Sequence, residues 1–84
     1  AGFKVIETLL EEFVEAVEQA SRGQGGAKTE MLLSFLPDQF FDAERKVPTK
    51  PYERMLRVTD FISGMTDRYA VKVFKMITGV DLPA

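Results

Sequence analysis

Residues 3–20 read FKVIETLLEEFVEAVEQA, and this stretch decides the fold class. Its apolar side chains recur at steps of three and four residues, which is the period of one face of an α-helix. The stripe consists of Phe3, Ile6, Leu10, Phe13, Val17 and Ala20, widened by Leu9, Val14 and Ala16, and the opposite side carries Glu7, Glu11, Glu15 and Glu18. The pattern predicts a helix with one broad buried face and one acidic face, which is either solvated or a docking surface.

Glycines end this first helix. The segment SRGQGGAK, residues 21–28, has three glycines in four positions and predicts a flexible connection. Lys28 and Thr29 resemble the end of a phosphate-binding P-loop, but the required glycine spacing is absent and no strand precedes them. After them, residues 29–42 predict one or two short helices, with Thr29 as a cap and Pro37 as a break.

A second long helix is predicted to begin at Pro51, a residue suited to the first helical position. It runs to about residue 78, and Gly79 lies where a C-cap is expected. Its apolar positions are Tyr52, Met55, Thr59, Ile62, Thr66, Tyr69, Val73 and Met76, with Phe61, Met65 and Phe74 beside them. No segment alternates with period two. The chain is therefore predicted to be all-α, with two long helices at about 3–21 and 51–78 and one or two short helices at about 29–42 between them.

Composition excludes several kinds of chemistry. The chain has 84 residues, enough for one domain, and contains no histidine and no cysteine. Without histidine it lacks the usual neutral-pH proton shuttle and the commonest imidazole metal ligand. Without cysteine it has no disulfide and no thiolate metal site, which fits a reducing cytoplasm. We therefore expect no catalytic residue and no metal site in this chain, a cytoplasmic location and, because the apolar runs are short, no membrane span.

Charge is unevenly divided along the chain. Residues 1–43 carry three basic and eight acidic side chains, and residues 44–84 carry eight basic and five acidic ones. The two halves could pair with each other, or the basic half could meet a phosphate-bearing ligand. Nucleic-acid binding is disfavoured because the pI is about 5.1 and the aromatic residues lie on apolar faces, apart from the basic ones.

A line of polar residues follows the second long helix. It consists of Arg57, Asp60, Gly64, Asp67 and Val71, flanked by Ser63 and Arg68. The two aspartates would lie about 10 Å apart, at ~1.5 Å rise per residue, too far to share a proton or one metal ion. Gly64 costs a helix interior roughly 1 kcal/mol relative to alanine, so it indicates a close approach, a kink, or a break after which Thr66 begins a new helix. We expect a continuous or kinked helix with Gly64 as its contact point, although the charges could equally form ordinary surface ion pairs.

The stretch RVTDFISGMTDRYAVKVF, residues 57–74, closely resembles the C-terminal signature of bacterial deoxynucleoside triphosphate triphosphohydrolases. These are the dGTPase-like members of the HD-domain superfamily. The matching residues are Asp60, Ile62, Gly64, Met65, Thr66, Asp67, Tyr69 and Ala70, with Phe61 in place of a tyrosine. Residues 2–16 resemble the family's preceding helix. LLSFLPDQF, residues 32–40, is similar to its Leu-Leu-Pro stretch, with Phe40 in a tyrosine position.

The resemblance implies an enzyme that hydrolyses a deoxynucleoside triphosphate (dNTP) to the deoxynucleoside and tripolyphosphate. In that family a divalent metal of the Mg or Mn class, held by His and Asp ligands, activates the attacking water. Residues 1–84 would then be a single helical C-terminal region of the larger phosphohydrolase, without its HD catalytic core. The fragment itself would be inactive and need no cofactor.

The resemblance also implies partners and sites. The partners would be the missing HD core, the dNTP substrate and further copies of the parent enzyme, without a membrane. The structural or interface residues would be Asp60, Gly64, Met65, Thr66, Asp67 and Tyr69, and the residues that could reach a triphosphate are Arg54, Arg57 and Arg68. The alternative is a stand-alone helical module for protein interaction.

Overall fold

The computed structural model describes residues 2–79, and over that range it contains helices and no strand. The helices are α1 (Phe3–Ser21), α2 (Ala27–Ser34), α3 (Pro51–Ser63) and α4 (Asp67–Thr78), with one 3-10 turn (Asp38–Phe40) after α2. The all-α class is therefore confirmed, as are the short helical segments in the middle of the chain. Pro51 and Gly79 also take their predicted places, Gly79 with a left-handed φ of 71°.

Helix α1 lies at the centre and packs against α2, α3 and α4. Phe13 is fully buried, and the rings of Phe35 and Phe61 meet its ring edge-on, with centroids 6.4 and 5.4 Å away. The rest of the buried apolar core comprises Val5, Leu9, Ala16, Val17, Leu32, Leu36, Phe40, Val47, Val58, Ile62, Ala70, Val73 and Phe74. Each other helix thus buries its apolar side by contact with this one helix.

The buried face of α1 differs from the predicted stripe. Leu9 and Ala16, which widened the predicted stripe, are fully buried, and Val5, which was not part of the stripe, is buried as well. Ile6 and Leu10 are only partly buried, and Phe3 is 88% exposed. Helices α2, α3 and α4 all cover α1, so its buried face is broad. This face is rotated relative to the predicted stripe, toward Val5 and away from Ile6. Phe3 is exposed because no described element covers the beginning of α1.

The second long helix is interrupted, which corrects the favoured expectation of continuity. Helix α3 ends at Ser63, and α4 begins at Asp67. Between them Thr66 has extended backbone, with φ −72° and ψ 159°, and its hydroxyl oxygen accepts the N–H of Tyr69 at 3.1 Å. An N-cap of this kind satisfies one of the orphan N–H groups of a new helix. Of the arrangements that the sequence allowed at Gly64, the structure therefore adopts the break, after which Thr66 begins a new helix.

The apolar positions of α3 and α4 also required correction. Tyr52, Met55, Tyr69 and Met76 belong to the apolar spacing noted in the sequence, but they are 75%, 55%, 39% and 53% exposed. The residues that enter the core are Arg54, Val58 and Ile62 from α3, and Ala70, Val73 and Phe74 from α4. Both helices carry apolar side chains on more than one face, and the break changes the rotational phase between them.

The start of α2 differs by two residues from the prediction. The helix begins at Ala27 with Gly26 as N-cap, and Thr29 is buried inside its first turn. The Thr29 hydroxyl oxygen accepts the N–H of Gly26 at 3.3 Å, and the hydroxyl donates to Oε1 of Gln19 at 2.6 Å. Thr29 therefore ties α2 to α1 in addition to supporting the helix start.

Candidate functional site

The two distant segments that resemble the phosphohydrolases meet at one open groove, which we call the motif groove. Pro37 and Gln39, beside the 3-10 turn, form one side, and Asp60 and Phe61, near the end of α3, form the other. Two adjoining hollows of about 300 and 580 Å³ share these four residues. The shared lining makes them parts of one surface depression.

The groove continues past the end of α3 into the helix break. Its larger hollow is lined there by Gly64, Met65, Thr66 and Tyr69. Of the six motif residues singled out from the sequence, only Asp67 does not line it. The break between α3 and α4 is thus part of the groove's wall, and residues about 20 positions earlier in the chain supply the facing wall.

Arg57 holds the two walls together. Its Nη1 donates to the backbone carbonyl oxygens of Phe40 and Gln39, at 2.8 and 3.2 Å, and its Nη2 donates to Oε1 of Glu53 at 2.6 Å. Arg57 thus forms its ion pair with Glu53, one turn earlier on α3. Arg57 lines the smaller hollow, and its side chain is 37% exposed. It therefore positions the 3-10 turn against α3.

Asp60 presents a carboxylate to the groove without a hydrogen-bonded side-chain partner among residues 2–79. The residue is exposed and lies in the last turn of α3. Arg57 lines the same smaller hollow as Asp60, but its guanidinium donates its hydrogen bonds to Glu53 and to two backbone carbonyls. The Asp60 carboxylate is therefore free to accept a hydrogen bond from a donor placed in the groove.

Gly64 is not required by the conformation of the chain itself. Its φ of −82° and ψ of −6° suit any residue. A Cβ there would lie 3.5 Å from the carbonyl oxygen of Asp60 and 3.7 Å from that of Phe61, which are ordinary contact distances. No described element crosses close to Gly64, so the expected close approach is not made within residues 2–79.

Thr66 and Asp67 have a local role at the start of α4. Thr66 caps the helix through Tyr69, as described above. Asp67 is the first helical residue, where the helix dipole favours a carboxylate. This part of the motif is accounted for by helix initiation.

Of the three arginines proposed to reach a triphosphate, only Arg57 lines the motif groove. Arg54 is 6% exposed, and its guanidinium donates to Glu18 and to the carbonyl oxygens of Pro48 and Thr49. Its donors are thus engaged in holding α3 to α1 and to the preceding loop. Arg68 is exposed on the first turn of α4.

The residues that the structure describes do not fit the His and Asp metal centre that the resemblance implies. The chain has no histidine or cysteine, and in residues 2–79 no three carboxylates converge on a point where a metal could bind. The centre that the resemblance implies needs His and Asp ligands together. None of the helices within the described range has the length and apolarity needed to cross a membrane.

Pro37 and Gln39 are groove residues that sequence reasoning did not single out. The available signal was the Leu-Pro stretch at residues 32–40, which resembled the same family as residues 57–74. Two segments that resemble one family are candidates for one surface, but their contact depends on the turn that follows α2. Local spacing does not contain that information.

Fold and groove together define a small all-helical domain with an open groove on its surface. Residues 2–76 match the family described as the phosphohydrolase-associated domain, and the chain belongs to that family.

Curated relatives match nearly the whole of this chain. The chain is 36% identical to a deoxyguanosinetriphosphate triphosphohydrolase-like protein of Listeria monocytogenes and to another of Listeria innocua, over 95% of this chain. It is 34% identical to a similarly named protein of Synechocystis over 98% of the chain. The match spans 17–19% of the length of these relatives. No solved structure matches the chain with significance.

Proposed function

We propose that this chain is the non-catalytic C-terminal helical region of a longer dGTPase-like HD-domain enzyme. In that enzyme it supports the catalytic core, the substrate pocket or a subunit interface. The observation that carries the proposal is the motif groove. Residues 37–40 and 60–69 resemble the same enzyme family and line one surface, although about 20 residues separate them in the chain.

The proposed parent hydrolyses a dNTP to the deoxynucleoside and tripolyphosphate. Its divalent metal, of the Mg or Mn class, and its dNTP substrate bind in the HD core, outside residues 1–84. The parent is a cytoplasmic homo-oligomer. The names of the curated relatives support the hydrolase assignment. The small share of their length that this chain matches supports a non-catalytic role for this region.

The test begins with the coding DNA on both sides of this chain. We expect it to encode a histidine, a His-Asp pair and a later aspartate upstream. The full-length protein and the isolated chain are then incubated with dGTP and Mn²⁺, and tripolyphosphate is measured. The full-length protein should release tripolyphosphate, and the isolated chain should release none.

A truncated enzyme that ends before residue 1 is the matched control. We expect it to lose thermal stability or assembly together with activity. Hydrolysis by the isolated chain would overturn the proposal, as would a reading frame without the HD residues. In the second case the stand-alone interaction module becomes the better description.

A further inference from the structure

One exposed side of α3, next to Asp60, carries a line of uncharged residues. Tyr52, Met55 and Leu56 are 75%, 55% and 44% exposed, and Thr59 and Ser63 continue the same line. These five positions follow one another at steps of three, one, three and four residues, which places them on one side of a helix. We call this set the α3 outer face. Exposed apolar side chains on contiguous turns are characteristic of a surface that packs against protein.

The other helices contrast with it. The exposed side of α1 carries Glu7, Glu11 and Glu15, and that of α4 carries Arg68 and Lys72. Charged residues make up 29% of the chain. Thus α3 alone among the four helices has an exposed line of five residues without a charge, so ordinary solvation does not account for its composition.

The α3 outer face is continuous with the motif groove. Asp60 follows Leu56 by one turn and lies between that face and the groove residues Phe61 and Gly64. The combined surface is therefore largely uncharged along α3, has the Asp60 carboxylate and the half-exposed Arg57 guanidinium where it meets the groove, and has a glycine where another backbone could approach.

We infer that the α3 outer face and the motif groove form a single docking surface for the remaining part of the same hydrolase polypeptide. That part places a basic side chain against Asp60. The inference rests on the proposed function. The curated relatives are about five times longer than this chain, so a large body of protein is available to cover the face. The Asp60 carboxylate forms no hydrogen bond or ion pair with another side chain of residues 2–79, so charge complementarity favours a basic group opposite it.

The absence of cysteine allows a direct test by single-cysteine labelling. Met55→Cys places a thiol on the α3 outer face, and Glu11→Cys places one on the exposed acidic side of α1 as the control. Both variants are prepared in the isolated chain and in the full-length hydrolase. They are treated with N-ethylmaleimide, and the labelled peptide is followed by mass spectrometry.

We expect Met55→Cys to react at least tenfold more slowly in the full-length hydrolase than in the isolated chain. Glu11→Cys should react at similar rates in both. Equal rates for Met55→Cys, in a hydrolase that still releases tripolyphosphate from dGTP, would overturn the docking surface and leave the proposed function intact. Protection that grows with the concentration of the isolated chain would assign the face to a second copy and would also overturn the inference.

The charge is tested on the same Met55→Cys background. Asp60→Lys should restore at least part of the labelling rate in the full-length hydrolase, and Asp60→Asn should do so to a lesser extent. Glu44→Lys makes the same change of charge on the exposed loop before α3 and should leave the rate unchanged. If Asp60→Lys and Glu44→Lys behave alike, no basic group faces Asp60.

Discussion

Arg54 on α3 donates two hydrogen bonds to Oε2 of Glu18 on α1, from Nε at 3.0 Å and from Nη2 at 2.7 Å. Its Nη1 donates to the carbonyl oxygens of Pro48 and Thr49, at 2.8 and 2.9 Å. One nearly buried cation therefore joins α1, α3 and the loop before α3. It also forms an ion pair between the acidic and basic halves of the chain, which was one of the two arrangements that their charges allowed.

Arg54→Ala should destabilise the isolated chain by about 3 kcal/mol. Breaking a buried ion pair leaves one charge and its hydrogen-bonding partners uncompensated. Arg54→Lys should recover little of this loss, since an ammonium cannot reproduce the planar set of donors. The free energy of unfolding is measured by urea titration followed by circular dichroism.

Arg57→Ala is the matched control for Arg54, three residues along the same helix. Its guanidinium also bonds to two carbonyls and a glutamate, but its side chain is 37% exposed compared with 7% for Arg54. Water can replace its partners, so we expect a loss of about 1 kcal/mol. Equal losses at the two positions would mean that burial does not set the strength of the Arg54 contacts.

Thr66→Ala should destabilise the chain by about 1 kcal/mol, because it removes the N-cap of α4. Thr66→Ser keeps the hydroxyl oxygen and should be close to neutral. As a control, Thr59→Ala removes an exposed hydroxyl that donates to the carbonyl of Met55 within α3. It should be neutral or slightly stabilising. The midpoints of urea unfolding of the three variants are compared with that of the unchanged chain. An unchanged midpoint for Thr66→Ala would contradict the capping role.

Gly64→Ala should stabilise the isolated chain by about 0.5 kcal/mol. The native φ is acceptable to alanine and the Cβ finds ordinary contacts, while the unfolded chain loses freedom. Gly79→Ala should instead destabilise by about 1 kcal/mol, since a left-handed φ of 71° disfavours a Cβ. Thermal unfolding of the two variants gives the comparison. Destabilisation by Gly64→Ala in the isolated chain would show that the glycine is needed internally.

The pKa of Lys28 is raised above its ordinary value of 10.5, chiefly by the hydrogen bond that its ammonium donates to Glu12 and then by the charge of that carboxylate. The Nζ to Oε1 distance is 2.7 Å. Because the folded pKa is the higher one, the stabilisation is complete below the unfolded pKa and is lost as the pH rises through the folded value. The pair is exposed, so the effect on stability is small.

Glu12→Gln should lower the pKa of Lys28 substantially. Glu15→Gln should lower it less, since Glu15 acts only through its charge and is the smallest of the causes. The Cε carbon shift of Lys28, followed by NMR from roughly pH 9 to 12, measures both. If the two variants shift the titration equally, the hydrogen bond is not the main cause.

Much of the helical structure could be predicted because its signals are local. The periodicity of residues 3–20, Pro51 at a helix start and Gly79 at a helix end all act within one or two turns. The break at Gly64 was less determinate. A glycine inside a helix is tolerated, and Thr66 can lie within a helix or cap one, so the local energies of the two arrangements are close.

The choice of buried face was beyond local reasoning. Helix α3 carries one apolar line through Tyr52 and Met55 and another through Val58 and Ile62, and both have helical spacing. Val58 and Ile62 enter the core because they face α1. The same holds for Arg54, whose burial depends on Glu18, 36 residues earlier in the chain.

In the candidate site, too, some features follow from local sequence and others from contacts between distant segments. The motif residues were recognisable along the chain, because side-chain identity and spacing are properties of the sequence. Their assembly with Pro37 and Gln39 into a groove required the packing of α2, the 3-10 turn and α3 around α1, held by Arg57. Helix period and capping act over a few residues, so local sequence specified the helices. The buried faces, the role of each arginine and the existence of the groove depend on contacts between distant segments, so only the tertiary structure decided them.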